Sequence, residues 1–106
     1  MRRLTSGPVS DDFGVSDPAV QKVLQTYLGN GRLRMMPRPG AKRRIVLDYL
    51  ATRFEPGVRY SETQVNAVLR GYHDDFAALR RYLIDEGLMS RENGQYWRTG
   101  GWVDVL

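Results

Sequence analysis

Apolar side chains at Val20, Val23, Leu24, Tyr27 and Leu28 recur at i, i+3, i+4, i+7 and i+8, the spacing of one helical face. Asp17 is a favoured N-cap, and Pro18 suits a first helical position where a missing N–H costs no bond. A helix from Asp17 to Leu28 is predicted, with Gly29 as its stop. The next stretch, Arg32-Leu33-Arg34-Met35-Met36-Pro37, alternates charged and apolar residues ahead of a proline and reads as a short edge strand or an extended segment. Pro37, Pro39 and Gly40 bar a helix from crossing this point. A second helix is expected from Ala41 to Phe54, where Ile45, Val46, Leu47, Tyr49, Leu50 and Phe54 cover more than one stripe, as in a central helix touched on several sides. Glu55-Pro56-Gly57 ends it, and the β-prone Val58-Arg59-Tyr60 is the length of a minor strand able to pair with a later hairpin.

Ser61-Glu62-Thr63-Gln64 has the spacing of a capping box, in which the first and last side chains satisfy each other's free backbone donors. Val65, Val68, Leu69 and Tyr72 give the helix that follows an apolar face, and Gly71 is expected to take the left-handed position at its end. Only Tyr72 and His73 separate Gly71 from Asp74, which is expected to cap a last helix running to Glu86, so two short helices meet across a tight turn. Phe76, Leu79 and Leu83 form the buried side of that last helix, and Asp74, Ala78, Arg81 and Asp85 its opposite face, flanked by Ala77 and Arg80. Gly87 ends it, with Leu88 placed to touch Leu83. Strands at 88–92 and 95–98 flank Asn93-Gly94, the dipeptide that best tolerates the two positive φ angles of a type I′ turn. Tyr96 and Trp97 must point to opposite faces of this hairpin, and the pattern leaves open which enters the core.

The expected fold class is α+β and mainly helical: a winged helix-turn-helix over residues 61–98, with an extra N-terminal helix and a C-terminal β-hairpin wing. Residues 1–15 read as a flexible tail, 16–99 as the domain, and 100–106 as a second tail whose Trp102-Val103-Asp104-Val105-Leu106 is apolar enough to dock or to form an interface. With 106 residues, 42% of them apolar and 26% charged, the chain suits one soluble domain with one core. It has no apolar run long enough to span a bilayer, and Met1-Arg2-Arg3-Leu4 leads into no signal-type apolar stretch, so a cytoplasmic location and no membrane partner are expected. The absence of cysteine removes disulfides, thiolate ligands and a thiol nucleophile.

Charge changes the picture more through its distribution than through its sum of +4. From Pro18 to Leu47 no acidic residue occurs, while Lys22, Arg32, Arg34, Arg38, Lys42, Arg43 and Arg44 all fall there. Such a span suits a surface facing phosphate, and equally a solvated face with no partner. Lys42-Arg43-Arg44 opens the second helix, where the macrodipole disfavours cations unless an outside anion offsets it. If the last helix reads the major groove, Arg80 and Arg81 are its only long donors, and Arg91 and Arg98 flank the hairpin tip as wing residues would. Asp74 and Asp75 oppose deep insertion, because they bring negative charge to the leading end of that helix. The candidate nucleic-acid contacts are therefore Arg32, Arg34, Lys42, Arg43, Arg44, Arg80, Arg81, Arg91 and Arg98. A single histidine, His73, cannot build a His-rich metal site. Ser61 and Ser90 lack a base partner, and the adjacent pairs Asp74-Asp75 and Asp85-Glu86 point apart, so no enzyme, metal or cofactor is expected.

Gly31-Arg32-Leu33-Arg34-Met35-Met36-Pro37, the helix from Ala41 to Phe54, the block from His73 through Leu79-Arg80-Arg81 to Asp85, Gly87-Leu88-Met89-Ser90-Arg91 and Tyr96-Trp97-Arg98 together resemble the bacterial domain-of-unknown-function family 2087 over roughly residues 30–99. His73, Asp74, Asp75, Leu79, Arg80, Arg81, Asp85 and Arg98 fall on its motif positions, none with a catalytic role. The chain departs from the family at Pro39-Gly40, where charged residues more often run straight into the helix. The resemblance implies a winged helix and, since such domains often end proteins that regulate transcription, a regulatory or DNA-binding role. The expectation is a small bacterial DNA-binding protein or transcriptional regulator that binds double-stranded DNA, with the N-terminal helix or the Trp102 tail as the candidate surfaces for a homodimer. The alternative is a protein-interaction module with no direct DNA contact.

Overall fold

The computed structural model describes residues 13–101; of the expected tails at 1–15 and 100–106, residues 1–12 and 102–106, Trp102 included, lie outside the described residues. Helix α1, Pro18–Leu28, starts where Asp17 accepts a hydrogen bond from the Ala19 amide at 2.9 Å, and it buries Leu24 and Leu28. Just ahead of it, Phe13 packs edge-on against Tyr49 with ring centroids 5.3 Å apart.

After α1 the strand reading of 32–37 fails and the extended, irregular reading holds. The Leu33 amide donates to the Tyr72 carbonyl and the Arg34 amide to the Tyr27 carbonyl, so neighbouring residues bond to two different helix ends and no ladder can form. Leu33 and Pro37 are buried, while Met35 is 64% exposed.

Helix α2, Ala41–Ala51, begins after Gly40, which supplies no side-chain cap, and buries Val46, Leu47, Leu50 and Ala51. It stops three residues short of the expected Phe54. Arg53 and Phe54 donate to Leu50 and Ala51, i to i−3 bonds that tighten the last turn and swing Phe54 into the core, where its ring meets Tyr60 at 5.2 Å.

Strand β1, Tyr60–Ser61, leads directly into α3, Glu62–Arg70, and the capping box is present: the Gln64 amide donates to Ser61 Oγ and the Ser61 amide to Gln64 Oε1. Gly71 is right-handed at φ −63, contrary to the left-handed expectation. The turn is instead closed by the Tyr72 and His73 amides, which both donate to the Leu69 carbonyl. Helix α4 spans Phe76–Asp85, and its cap is Asp75, whose Oδ1 accepts from the Ala78 amide; Asp74, the expected cap, stays outside the helix. The close of α4 follows the Schellman pattern, with Leu88 N–H to the Leu83 carbonyl, Gly87 N–H to the Ile84 carbonyl, and Gly87 at φ +73.

Strands β2, Met89–Glu92, and β3, Gln95–Arg98, form the hairpin, and Asn93 and Gly94 take φ 54 and 77 as a type I′ turn requires. The antiparallel sheet has the order β1-β3-β2, with Tyr60 opposite Tyr96 and Ser90 opposite Trp97. Tyr96 is the residue that enters the core, at 1% exposure; Trp97 lies on the other face beneath the Arg59 guanidinium, 4.1 Å from its ring centroid. The architecture is thus α+β: four helices and a small three-stranded antiparallel sheet among the described residues, sharing one core of Leu24, Leu28, Leu47, Leu50, Val65, Leu69, Leu79, Leu83 and Tyr96 with their neighbours. No helix among the described residues is long and apolar enough to cross a membrane.

Candidate functional site

Of the nine candidate contact residues, five are engaged in holding the fold. Arg32 donates to the carbonyls of Arg70 and Gly71 at 3.1 and 3.2 Å, where the α3 carbonyls run out of partners, and pairs with Asp74 at 2.9 Å. Arg43 donates to the Pro37 carbonyl at 2.8 Å and lies over the Tyr82 ring, which ties the irregular segment to α2 and α4. Arg44 bridges Asp48 and Glu86 at 3.0 and 3.1 Å and donates to the Glu86 carbonyl just past α4. Arg98 donates to the carbonyls of Gly100 and Phe54. Arg80, only 20% exposed, donates to Asn66 Oδ1 and lies 3.9 Å from Glu62, linking α4 to α3.

Burial pushes the Asp48 carboxyl above its ordinary value; Arg44 opposes that rise and the nearby Glu86 charge adds to it.

Arg81 and Arg91 remain available on one surface. With Ala77, Arg80, Ile84, Asp85 and Tyr96 they line a cleft of about 390 Å³ between α4 and the hairpin. Arg81 extends from α4 with its guanidinium 5.5 Å from the Tyr82 ring centroid and no salt bridge among the described residues. Arg91, on β2, donates to the Tyr96 hydroxyl at 3.4 Å; that bond holds its guanidinium above its ordinary pKa. The Tyr96 hydroxyl in turn donates to Glu62 Oε1 at 2.9 Å, and the other Glu62 oxygen faces Arg80. One carboxylate at the start of α3 therefore steadies side chains from β2, β3 and α4.

Glu62, Asn66 and Tyr96 were missing from the sequence-based set. The Asn66–Arg80 and Glu62–Tyr96 contacts span 14 and 34 residues, and Glu62 had a sufficient local explanation as an acid in a first helical turn.

Arg34 and Lys42 are elsewhere. Lys42 lines a trough of about 450 Å³ between α1 and the start of α2, and Arg34 neighbours the Met35 of that trough; no side chain lines both the trough and the α4–hairpin cleft. The basic set therefore divides into two separate surfaces and a group of arginines bonded within the fold. Among the described residues no group of three or more His, Asp or Glu side chains gathers where one ion could hold them.

Residues 32–98 match the sequence model of a family described as an uncharacterized protein conserved in bacteria, DUF2087. No curated protein and no solved structure matches the chain.

Proposed function

The chain belongs to the bacterial family DUF2087, and on that premise we propose that it is a small binding protein that holds double-stranded DNA through a winged helix-turn-helix and acts in transcriptional regulation. In this reading α3 and α4 are the two helices of the motif and β2–β3 is the wing, an assignment supported by the order helix, strand, helix, helix, hairpin and by the three-stranded sheet.

One observation carries the proposal: Arg81 from α4 and Arg91 from the hairpin line the same cleft and form no salt bridge among the described residues, while Glu62 and Asn66 hold Arg80 between them. Arginine suits phosphate and guanine alike, because its planar fork presents two parallel donors. In this reading the cleft acts by recognition, through the guanidinium donors of Arg81 and Arg91.

Titration of fluorescent duplex fragments at low ionic strength tests the proposal. Binding that weakens steeply with added salt is expected. Failure to bind any duplex at low salt contradicts it.

A further inference from the structure

The trough between α1 and α2 is a different kind of surface from the α4–hairpin cleft. Its floor is apolar, formed by Tyr27, Met35, Met36, Pro37, Pro39 and Ala41. A second depression of about 210 Å³, with Val23 and Ala19 on its floor, joins it through the shared side chains Tyr27 and Lys42. Met35, at 64%, is the most exposed large hydrophobic residue among those described. Lys22, Arg38 and Lys42 stand along the two depressions, and Arg34 is next to Met35. None of these four cations has a salt bridge, an aromatic contact or a side-chain hydrogen bond among the described residues. The sequence from Pro18 to Leu47 contains no acid.

We propose that this trough docks an acidic amphipathic segment of a partner protein. Its apolar side chains would cover Met35, Met36 and Tyr27, and its carboxylates would meet Lys22, Arg38 and Lys42. An apolar floor rimmed by a single sign of charge selects a ligand that carries both features. Methionine side chains adapt to varied apolar partners, as peptide-binding grooves require. The floor argues against DNA, because exposed Met and Pro side chains add nothing to a phosphate contact. The surface is also open and continues over two helices, which suits a chain segment more than a small enclosed ligand. This inference does not rest on the DNA reading, since the two surfaces share no lining residue.

The test uses the full chain and a labelled synthetic peptide with Leu and Phe at i, i+3, i+4 and i+7 and Glu or Asp between them. Binding is followed by fluorescence anisotropy for the wild type, Met35→Asp, Lys42→Glu and the pair Arg81→Ala plus Arg91→Ala, each checked for an unchanged circular dichroism spectrum. The expected result is that Met35→Asp and Lys42→Glu each weaken binding about tenfold or more, a loss of about 1.4 kcal/mol. The arginine pair leaves it unchanged, and a saturating DNA duplex does not displace the peptide. A control peptide with Ser in place of Leu and Phe should bind at least tenfold more weakly, on the same scale.

No binding of the acidic peptide overturns the proposal, as does equal binding of the Ser control or indifference to both trough substitutions. It is overturned too if dodecanoate binds with Lys42 dependence while the peptide does not, which would make the trough a small-molecule site. A dimer broken by Met35→Asp, with no peptide binding, would instead identify a second copy as the occupant and equally overturn it.

Discussion

The Arg32 guanidinium lies 2.9 Å from the Asp74 carboxylate while its other nitrogen donates to the Arg70 and Gly71 carbonyls. A residue from the irregular segment thus closes the end of α3 and offsets one of the two negative charges ahead of α4. The second, Asp75, is occupied as the α4 cap. The charge that counted against this end of α4 as a DNA-facing surface is therefore part of its local structure.

Arg32→Ala is expected to lower stability by about 1 kcal/mol, since an exposed pair and a helix-end contact each contribute a fraction of that. In a domain of this size, the melting temperature should fall by roughly 4–8 °C. Asp74→Asn, which leaves the two carbonyl bonds intact, should have a smaller effect. Thermal denaturation followed by circular dichroism compares the two; equal losses would mean that the carbonyl contacts contribute nothing.

Tyr96→Phe keeps a ring that is 1% exposed but removes the hydroxyl between Arg91 and Glu62. A stability loss of about 1 kcal/mol is expected in urea titrations, the usual scale for one hydrogen bond. Loss of less than a few tenths would show that water replaces the bond fully.

Gly94→Ala tests the hairpin turn. An added Cβ would meet nothing within 4 Å, so the cost is the backbone conformation alone at φ 77. About 1–2 kcal/mol is expected in the same titration. No loss would mean that the turn relaxes to another type.

Asp48 gives a pH dependence whose sign is fixed by its raised pKa. A carboxyl titrating higher when folded than unfolded stabilises the fold below the unfolded value, and that contribution is lost as pH rises through the folded value. Asp48→Asn removes this term. The stability difference, wild type minus variant, should therefore fall as pH rises from the ordinary aspartate range upward, and a rising difference in thermal melts from acid to neutral pH would contradict it.

Local chemistry made much of the fold readable in the sequence. The Ser61–Gln64 box, the Gly87 closure with Leu88, the Asn93-Gly94 turn and the α1 face each depend on residues within a few positions, so the chain states them directly. The misreadings have non-local causes. Alternation at 32–37 resembles a strand, but two carbonyls at the ends of α1 and the α3 turn take its amides. Asp74 and Asp75 are equally good caps in sequence, and Arg32, 42 residues away, takes the first. The same reason divides the basic residues. Nothing near Arg43 or Arg98 in sequence reveals that Tyr82 and the Phe54 carbonyl lie beside them, whereas Arg81 and Arg91 stay exposed in one cleft.

The salt dependence of duplex binding, compared between the wild type and Arg81→Ala plus Arg91→Ala, tests the central claim most directly. Two lost phosphate contacts should make the slope of log K against log salt shallower by about 1.8, with weaker binding at low salt. An unchanged slope and unchanged affinity would show that the cleft between α4 and the hairpin does not hold DNA.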